Sequence, residues 1–329
     1  MISIKDVAKH AGVAISTVSK VLNQYPNVSD ETRKKVTLAI EELGFVPNSI
    51  ASALSSKQSG RIALLMNLTT QTQAIDEIGM QYLHGAIWQA EKEKMDLITV
   101  FFSMIKEKSV LELKTYFKAQ NIEGIIIYGL SKDDFVLHEL ILSKSFKIVV
   151  IDAPIVNSVT SSVWIDHRKA QYDIAKKTIL ENNAKRVLYI SGKENGYVTE
   201  QRIKGMQELA EDLDLTLLIR DGKFNELEAR KLTFQYGAHK DVIVCASDLM
   251  AIGAMNALME MDIFRPVCGF DGITLMGYVG KQMNTVRQNF FAVSASAVEE
   301  MHHLITGREG QEIFLGYELV RMQYLDIIC

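Results

Sequence analysis

The chain has 329 residues, of which 48% are hydrophobic and 23% charged, an ordinary composition for a globular protein of two or three domains. No run of about 18 apolar residues occurs, and the amino terminus MISIKDVAKH lacks the apolar core of a signal peptide. We therefore expect a cytoplasmic protein without a membrane span. The three cysteines, Cys245, Cys268 and Cys329, lack metal-ligand spacing and are expected to be thiols in a reducing compartment.

The net charge of −4 is unevenly distributed along the chain. Residues 1–60 carry seven Lys and Arg against five Asp and Glu, a net charge of +2, which leaves −6 for the remainder. A mildly basic amino-terminal segment followed by an acidic body indicates that one chain performs two tasks.

Three short helices are predicted at the amino terminus. Ser3 and Asp6 have the spacing of a capping box, which marks the start of the first helix. The second helix covers ISTVSKVLN, and the third begins after Ser29 and ends at Gly44. Two short helices joined by a tight turn form a helix-turn-helix, whose second helix enters the major groove of DNA. The residues alone leave this interpretation about even with a three-helix bundle that binds no nucleic acid.

The segments DVAKHAGVAISTVSKVLN, VSDETRKKV, EELGFVPN and IASAL together resemble the DNA-binding head of the lactose/galactose repressor (LacI–GalR) family. Two residues depart from that family. Ala14 stands where a serine or threonine usually caps the second helix, a cap worth about 1 kcal/mol. Lys20 stands where arginine is usual, and lysine lacks the rigid guanidinium fork. In the head, the resemblance implies DNA contacts by Ile15, Ser16, Thr17, Ser19, Lys20 and Asn23.

The stretch PNSIASALSSKQ, within residues 47–59, is too short to form a stable helix by itself. The resemblance implies a hinge helix that orders on DNA and pairs with its copy in the minor groove, where Leu54 wedges between base steps. Asn48 and Ala51 are the other implied contacts of this segment. The alternative is a flexible serine-rich linker.

From Arg61 onward, short apolar runs alternate with amphipathic stretches. The runs RIALLM, LITVFF, GIIIYG and KIVVID predict one set of buried parallel strands, and RVLYIS, LTLLI, DVIVCAS and PVCGFD predict a second. Two doubly wound α/β subdomains follow, with ligands expected in the cleft between them. The body resembles the type I periplasmic-binding-protein fold of the same family, which implies chain crossovers near 161–166, 288 and 317.

Candidate effector-binding residues come from the ends of predicted strands and from two family patterns. The pattern R-x-x-G occurs at Arg202 to Gly205, and G-F-D occurs at Gly269 to Asp271. The resemblance implies that this arginine and aspartate bind a sugar, because a guanidinium donates in a fixed fork and a carboxylate accepts twice. The full implied set is Asp152, Arg202, Phe224, Ser247, Asp271, Gln288 and Phe290.

Several of these residues have a purely structural alternative. Asp152 could cap a turn before Pro154, and Phe224 could belong to the core. Asp248 is expected to cap the following helix rather than bind a ligand. Ser247 stands where the family usually has asparagine, so the effector is expected to meet one hydroxyl instead of one amide.

The sequence therefore predicts a ligand-responsive DNA-binding regulator, a repressor of carbohydrate-utilisation genes. The domains expected are a DNA-binding head at 1–46, a hinge at 47–59, and an effector-binding and dimerisation body at 60–329. Its partners would be a pseudo-palindromic operator, a sugar or sugar derivative, and a second copy of the chain. No catalytic or cofactor motif occurs, so no enzyme activity, metal or cofactor is expected. Two alternatives are control by a phosphorylated partner protein, and solute binding without DNA, which would leave the head unexplained.

Overall fold

The polypeptide divides into two units, Met1–Ser59 and Gly60–Cys329, which we call the head and the body. Each unit buries its own hydrophobic core. The computed structural model describes residues 2–22, 25, 27–45, 61–67, 77–279 and 282–322.

The three predicted helices of the head are present, as Ile4–Ala11 (α1), Ile15–Leu22 (α2) and Asp30–Leu43 (α3). The Asp6 carboxylate accepts hydrogen bonds from the Ser3 amide at 2.8 Å and from the Ser3 hydroxyl at 2.7 Å, so the predicted start of α1 is confirmed. Six buried side chains from the three helices form the core: Val7, Ala8, Val18, Val21, Val36 and Ala39.

Glycines end two of these helices in the left-handed conformation that glycine adopts without strain. Gly12 follows α1 with a φ of 65°, and Gly44 follows α3 with a φ of 58°. Leu38 and Ala39 are adjacent apolar residues of α3. Ala39 is buried and Leu38 is exposed, so the inward face of the helix is the one that carries Val36 and Ala39.

One sheet of the body and its helices form the N-subdomain. Its strands are β1 (Arg61–Met66), β2 (Asp96–Phe101), β3 (Ile122–Ile127), β4 (Lys147–Ile151), β5 (Thr160–Ile165) and β11 (Glu312–Leu315). Its helices are α4 (Glu77–Glu93), α5 (Phe102–Ile105), α6 (Val110–Ala119), α7 (Phe135–Leu142) and α12 (Phe290–Ile305). The strands are parallel and lie in the order β11-β5-β4-β3-β1-β2.

The other sheet and its helices form the C-subdomain. Its strands are β6 (Arg186–Ser191), β7 (Thr216–Asp221), β8 (Val242–Cys245), β9 (Val267–Cys268), β10 (Met283–Gln288) and β12 (Tyr317–Met322). Its helices are α8 (His167–Glu181), α9 (Tyr197–Asp212), α10 (Glu226–Tyr236) and α11 (Asp248–Glu260), with 3₁₀ turns at Gly237–His239 and Thr274–Val279. The strand order is β12-β10-β9-β8-β6-β7, and β12 runs antiparallel to β10.

Both sheets are covered by helices on both faces, and this explains their apolar strands. In β1, five successive residues from Ile62 to Met66 are buried. The prediction of two doubly wound subdomains is confirmed. The chain passes between them at Asp166, between β5 and α8, at Asn289, between β10 and α12, and at Gly316, between β11 and β12.

Apolar runs do not predict four of the strands, β5, β10, β11 and β12. The reason is that β5 and β10 bury polar side chains, among them Thr160, Ser161, Asn284 and Thr285, so no continuous apolar run is visible. None of the helices in the described part of the chain is both long and apolar enough to cross a membrane.

Candidate DNA-binding surface and effector cleft

Helix α2 presents one face to the core of the head and another to solvent. Val18 and Val21 are buried, whereas Ile15, Ser16 and Lys20 are exposed. The remaining described candidates on this helix, Thr17 and Ser19, are half-buried. Four further candidates, Asn23, Asn48, Ala51 and Leu54, lie outside the described residues.

The start of α2 has the weak cap that its sequence indicates. The Ala14 carbonyl accepts hydrogen bonds from the Thr17 amide at 2.9 Å and the Val18 amide at 3.2 Å. The methyl side chain of Ala14 has no oxygen to accept a further amide hydrogen. A helix start without a side-chain cap leaves the remaining first-turn amides to solvent or to another acceptor.

In the body, Arg202 of α9 is only 4% exposed. Its guanidinium stacks on the Phe270 ring at 3.6 Å, donates to the Ala246 carbonyl, and lies 3.9 Å from Asp271 Oδ1. Its Nε, which is also buried, has no hydrogen-bond partner among the described residues. A donor held in this way is suited to an oxygen atom of a ligand.

Glycine in the R-x-x-G pattern explains how Arg202 reaches this place. A Cβ at Gly205 would lie 2.2 Å from the Arg168 carbonyl oxygen of α8. Only glycine therefore allows α9 to pack this closely on α8, one turn beyond Arg202. A helix contact is therefore enough to explain the glycine of this pattern.

Asp271 follows β9 and faces Arg202. Its Oδ1 accepts a hydrogen bond from Gln288 Nε2 at 3.1 Å, and its backbone amide donates to the Val286 carbonyl at 2.8 Å. Burial raises the pKa of Asp271, and the Arg202 charge opposes the rise. The structure thus brings together three of the predicted effector residues, Arg202, Asp271 and Gln288.

The loop that carries Asp271 is held by Asp248. The fully buried Asp248 carboxylate accepts from the Gly272 amide at 2.7 Å, the Ile273 amide at 2.8 Å and the Thr285 hydroxyl at 2.6 Å. A Cβ at Gly269 would lie 2.2 Å from Asp248 Oδ1, so the glycine of G-F-D makes room for this carboxylate.

The expected role of Asp248 as a helix cap is wrong. Ser247 caps α11, since its hydroxyl accepts a hydrogen bond from the Met250 amide at 3.3 Å. A serine with a β-region backbone precedes the helix and has the right geometry, whereas Asp248 is already the first helical residue. Ser247 is nearly buried and is thus committed at least partly to structure.

Asp152 directly follows β4 and contacts a residue that the sequence analysis did not single out. Asp152 has a φ of 58°, and its Oδ1 lies 2.8 Å from Nε2 of the buried His167. The other ring nitrogen of His167 lies 3.3 Å from the Arg202 guanidinium. The sequence signal for His167 was its position just after β5, at the start of α8. A lone histidine in a sequence does not reveal that it has two polar neighbours.

The N-subdomain side of the cleft is largely aromatic. The Tyr82 ring of α4 lies 4.8 Å from that of Tyr128 and 5.3 Å, edge to face, from that of Phe290. Burial, assisted by the Asp152 charge, raises the pKa of Tyr82. Phe290 is therefore part of an aromatic cluster, and Tyr82 is a further residue that the sequence did not single out.

Phe224 lies in the C-subdomain. It has a φ of 54° and packs on the core of the C-subdomain, and a Cβ at Gly192 would lie 2.0 Å from its ring. The ring is half-buried at the carboxyl end of the sheet, after β7.

Two loops, Ser131 to Asp133 and Lys193 to Gly196, join the subdomains at the edge of the cleft. We call this contact, together with Glu200 of α9, the clasp. The Lys132 amide donates to the Asn195 carbonyl at 2.9 Å, and Lys132 Nζ lies 2.6 Å from Glu200. Lys193 Nζ lies 3.7 Å from Asp133. Beside the clasp is a cavity of about 580 Å³, whose lining includes Asn67, Ser103, Asp133, Phe135 and Lys193.

A second contact joins the subdomains elsewhere. Glu77 of α4 accepts hydrogen bonds at 2.8 Å from both the amide and the hydroxyl of Thr274. Together with the chain of contacts from Asp152 to Asp271, these bonds define a closed cleft that carries a buried cation, several carboxylates and aromatic rings. A helix-turn-helix head and a cleft of this kind define the class of ligand-responsive DNA-binding proteins.

Comparisons with known proteins agree with this class. Residues 3–48 match the family described as bacterial regulatory proteins, lacI family. The HTH-type transcriptional regulator RegA of Clostridium saccharobutylicum is 29% identical, over 98% of both chains. The ribose operon repressor of Halalkalibacterium halodurans is 27% identical, over 90% of this chain and 88% of that one.

The fold also matches solved structures. A lac repressor dimer bound to operator and the anti-inducer ONPF superposes with a TM-score of 0.81, at 22% identity, over 98% of this chain and 99% of that one. The regulator CelR in complex with cellobiose superposes with a TM-score of 0.69, also at 22% identity, over 98% of this chain and all of that one. The head thus matches the lacI family of regulatory proteins, and nearly the whole chain is similar to transcriptional regulators.

Proposed function

We propose that this regulator is a cytoplasmic homodimeric repressor that binds a pseudo-palindromic operator through α2 and responds to an uncharged sugar held by Arg202 and Asp271. The observation that carries the proposal is the buried guanidinium of Arg202, whose Nε lacks a partner among the described residues and whose neighbours are a carboxyl and an aromatic ring. The geometry offers a donor, an acceptor and an apolar face, which a sugar requires.

For DNA, the exposed face of α2 supports the assignment of Ile15, Ser16 and Lys20 as groove contacts. A dimer presents two such helices, and operator affinity should fall steeply with salt. We expect Lys20→Ala to weaken operator binding by about 1–3 kcal/mol and to relax the preference at one base pair per half-site. Equal weakening on all sequences, measured by fluorescence anisotropy, would make Lys20 a phosphate contact instead.

For the effector, charge balance supports a neutral sugar over a sugar phosphate. The clasp lysines Lys132 and Lys193 each lie within 4.0 Å of a carboxylate, so their positive charge is already offset. A phosphate group would need a cation without such a neighbour. One relative is named a ribose operon repressor, and one structural neighbour is a complex with cellobiose, so both sugars belong in the first panel.

The effector proposal is tested by a thermal-shift screen of neutral sugars and their phosphates against the full chain. We expect a neutral sugar to raise the melting temperature, and Arg202→Ala to abolish this rise while operator binding is kept. Asp271→Ala should act in the same direction. Normal ligand affinity in both variants would place the site elsewhere. If a phosphorylated protein, and no sugar, changes operator affinity, control by such a partner replaces the proposal.

Exposed apolar side chains support the dimer. Met80 and Ile87 lie seven residues apart on one face of α4, and both are about half exposed. Ile87→Arg should shift the protein toward monomer in sedimentation and weaken operator binding. Leu180→Arg, at a similarly exposed position on α8, serves as the control and should leave the mass unchanged.

A further inference from the structure

His167 is fully buried and has two polar neighbours of opposite character. Nε2 lies 2.8 Å from Asp152 Oδ1 of the N-subdomain, and Nδ1 lies 3.3 Å from the Arg202 guanidinium of the C-subdomain. The ring also lies 5.9 Å from the Phe270 ring, on which Arg202 stacks. His167 begins α8, immediately after the crossover at Asp166.

The chemistry of these neighbours fixes the protonation of the ring. A guanidinium has only donors, so Nδ1 must accept the hydrogen bond from Arg202. The Asp152 carboxylate accepts, so the ring hydrogen must be on Nε2. The imidazole is therefore neutral in this arrangement. A second proton, on Nδ1, would place two N–H donors and two positive charges against each other.

Burial lowers the pKa of His167, and the Asp152 carboxylate opposes this effect. Neutral imidazole is thus favoured by the apolar surroundings. The charged and titratable groups around the ring are Asp152 after β4, Asp166 at the crossover, Arg202 of α9 and, beyond Arg202, Asp271 after β9 and Tyr82 of α4.

We propose that neutral His167 is a positioning residue of the effector site, which fixes Arg202 from behind and makes effector binding sensitive to acid. The inference rests on the proposed function only in taking Arg202 as the effector contact. His167 accepts a hydrogen bond from the Arg202 guanidinium. Stacking on Phe270 alone would let this guanidinium rotate in its own plane, parallel to the Phe270 ring. Without that acceptor, the guanidinium loses one of the partners that set its angle.

Two substitutions test the hydrogen bonds of the two ring nitrogens of His167 separately. His167→Gln places an amide nitrogen near Nε2, so it keeps a donor to Asp152 but supplies no acceptor at the Nδ1 position. His167→Asn places an amide oxygen near Nδ1, so it keeps the acceptor for Arg202 and loses the donor to Asp152. His239→Asn, at an exposed position of the C-subdomain, is the control.

Crystal structures of the full-length variants give the direct readout. We expect Arg202 to leave the Ala246 carbonyl in His167→Gln and to keep that contact in His167→Asn. In calorimetry with the tightest-binding neutral sugar of a panel that includes ribose and cellobiose, His167→Gln should lose about tenfold in affinity and His167→Asn less than about threefold. An unmoved Arg202 in both variants, or equal losses of affinity, would overturn the proposal.

A pH series distinguishes positioning from packing. Wild-type affinity should fall, by up to about tenfold per pH unit, once acid protonates His167, whereas His167→Asn should lack this component. Nitrogen-15 spectra of the imidazoles, assigned with the variants, should show a neutral His167 with hydrogen on Nε2 at pH 7, and this form should persist below the ordinary histidine pKa of about 6.5.

A charged His167 at pH 7, or hydrogen on Nδ1, contradicts the proposal whatever the ligand is. If no sugar of the panel binds the wild-type protein, the proposed effector fails. The spectra and the variant structures still decide the role of His167 in that case, because neither measurement needs a ligand.

Discussion

The two sides of the cleft are built by subdomains with the same strand order but have different chemistry. On the C-subdomain side, Arg202, Asp248, Asp271 and Gln288 are connected by hydrogen bonds and an ion pair. On the N-subdomain side, Tyr82, Tyr128 and Phe290 pack against one another, and Asp152 provides the main charge.

This difference indicates that the sheet topology determines where a ligand can bind, whereas the residues at the strand ends determine which interactions hold it. A network of buried polar groups depends on every member, because an unpaired buried donor costs about 1–3 kcal/mol. An aromatic cluster is held by many weak contacts and loses stability more gradually. The polar side should therefore be sensitive to single substitutions, and the aromatic side should tolerate them better.

The largest effect is expected at Asp248. Asp248→Ala leaves two amides and the Thr285 hydroxyl without their acceptor in a buried place, so unfolding should become easier by about 3 kcal/mol or more. Asp248→Asn keeps one oxygen acceptor and should cost less. Urea unfolding measures both, with the exposed Glu211→Ala as control. A loss below about 1 kcal/mol for Asp248→Ala would show that the loop reorganises and that this side is not a fixed network.

The next effect is a pH dependence from His167. Because burial lowers its pKa in the folded chain, the unfolded chain takes up the proton first as the pH falls. The stability that the neutral ring contributes is complete above the ordinary histidine pKa of about 6.5 and is lost as the pH falls toward the folded value.

The slope from this one group cannot exceed about 1.4 kcal/mol per pH unit. The difference in unfolding free energy between wild type and His167→Asn should shrink from pH 7.5 to pH 5.5, since the other titrating groups are shared. A difference that stays constant over this range would mean that His167 titrates equally in the folded and unfolded chains.

On the aromatic side, we expect a smaller effect from Tyr128→Phe. The Tyr128 hydroxyl lies 2.6 Å from the buried Ser294 hydroxyl, and a buried hydrogen bond contributes about 1 kcal/mol. Removal of both hydroxyls in Tyr128→Phe with Ser294→Ala should recover part of the loss, because no unpaired group remains. If the double variant is as unstable as the sum of the two single ones, the hydrogen bond is not the source.

The smallest effect is expected at the clasp. The lysines Lys132 and Lys204 lower the pKa of Glu200 to about 2, but the pair Lys132–Glu200 is partly exposed and should contribute less than about 1 kcal/mol. Lys132→Glu should speed hydrogen exchange at the amide of residue 132, which donates across the clasp to Asn195. The combined exchange of Lys132→Glu with Glu200→Lys should restore protection. Unchanged exchange in the single variant would show that the backbone bonds alone hold the clasp.

Much of this fold was predictable from sequence, because local rules act on neighbouring residues. The caps at Ser3 and Ser29 and the terminal glycines at Gly12 and Gly44 set the helices of the head. Apolar runs such as RIALLM predicted buried strands that are covered by helices on both faces. The strands with buried polar side chains, such as β5 at Thr160–Ile165, were not predicted because the partners of these side chains come from elsewhere in the chain. Ser161, for example, forms a hydrogen bond with Glu300, 139 residues away.

The candidate effector site also has a part that the sequence indicated and a part that it did not. The family resemblance implied Arg202 and Asp271 as effector contacts, since both stand in short patterns that can be read directly in the chain. Only the tertiary structure decided that Asp248 holds the Asp271 loop and that His167 connects Asp152 with Arg202. The physical reason is that a polar side chain takes its role from the partner it meets. These partners lie on other strands and helices, and folding alone brings them within hydrogen-bond distance.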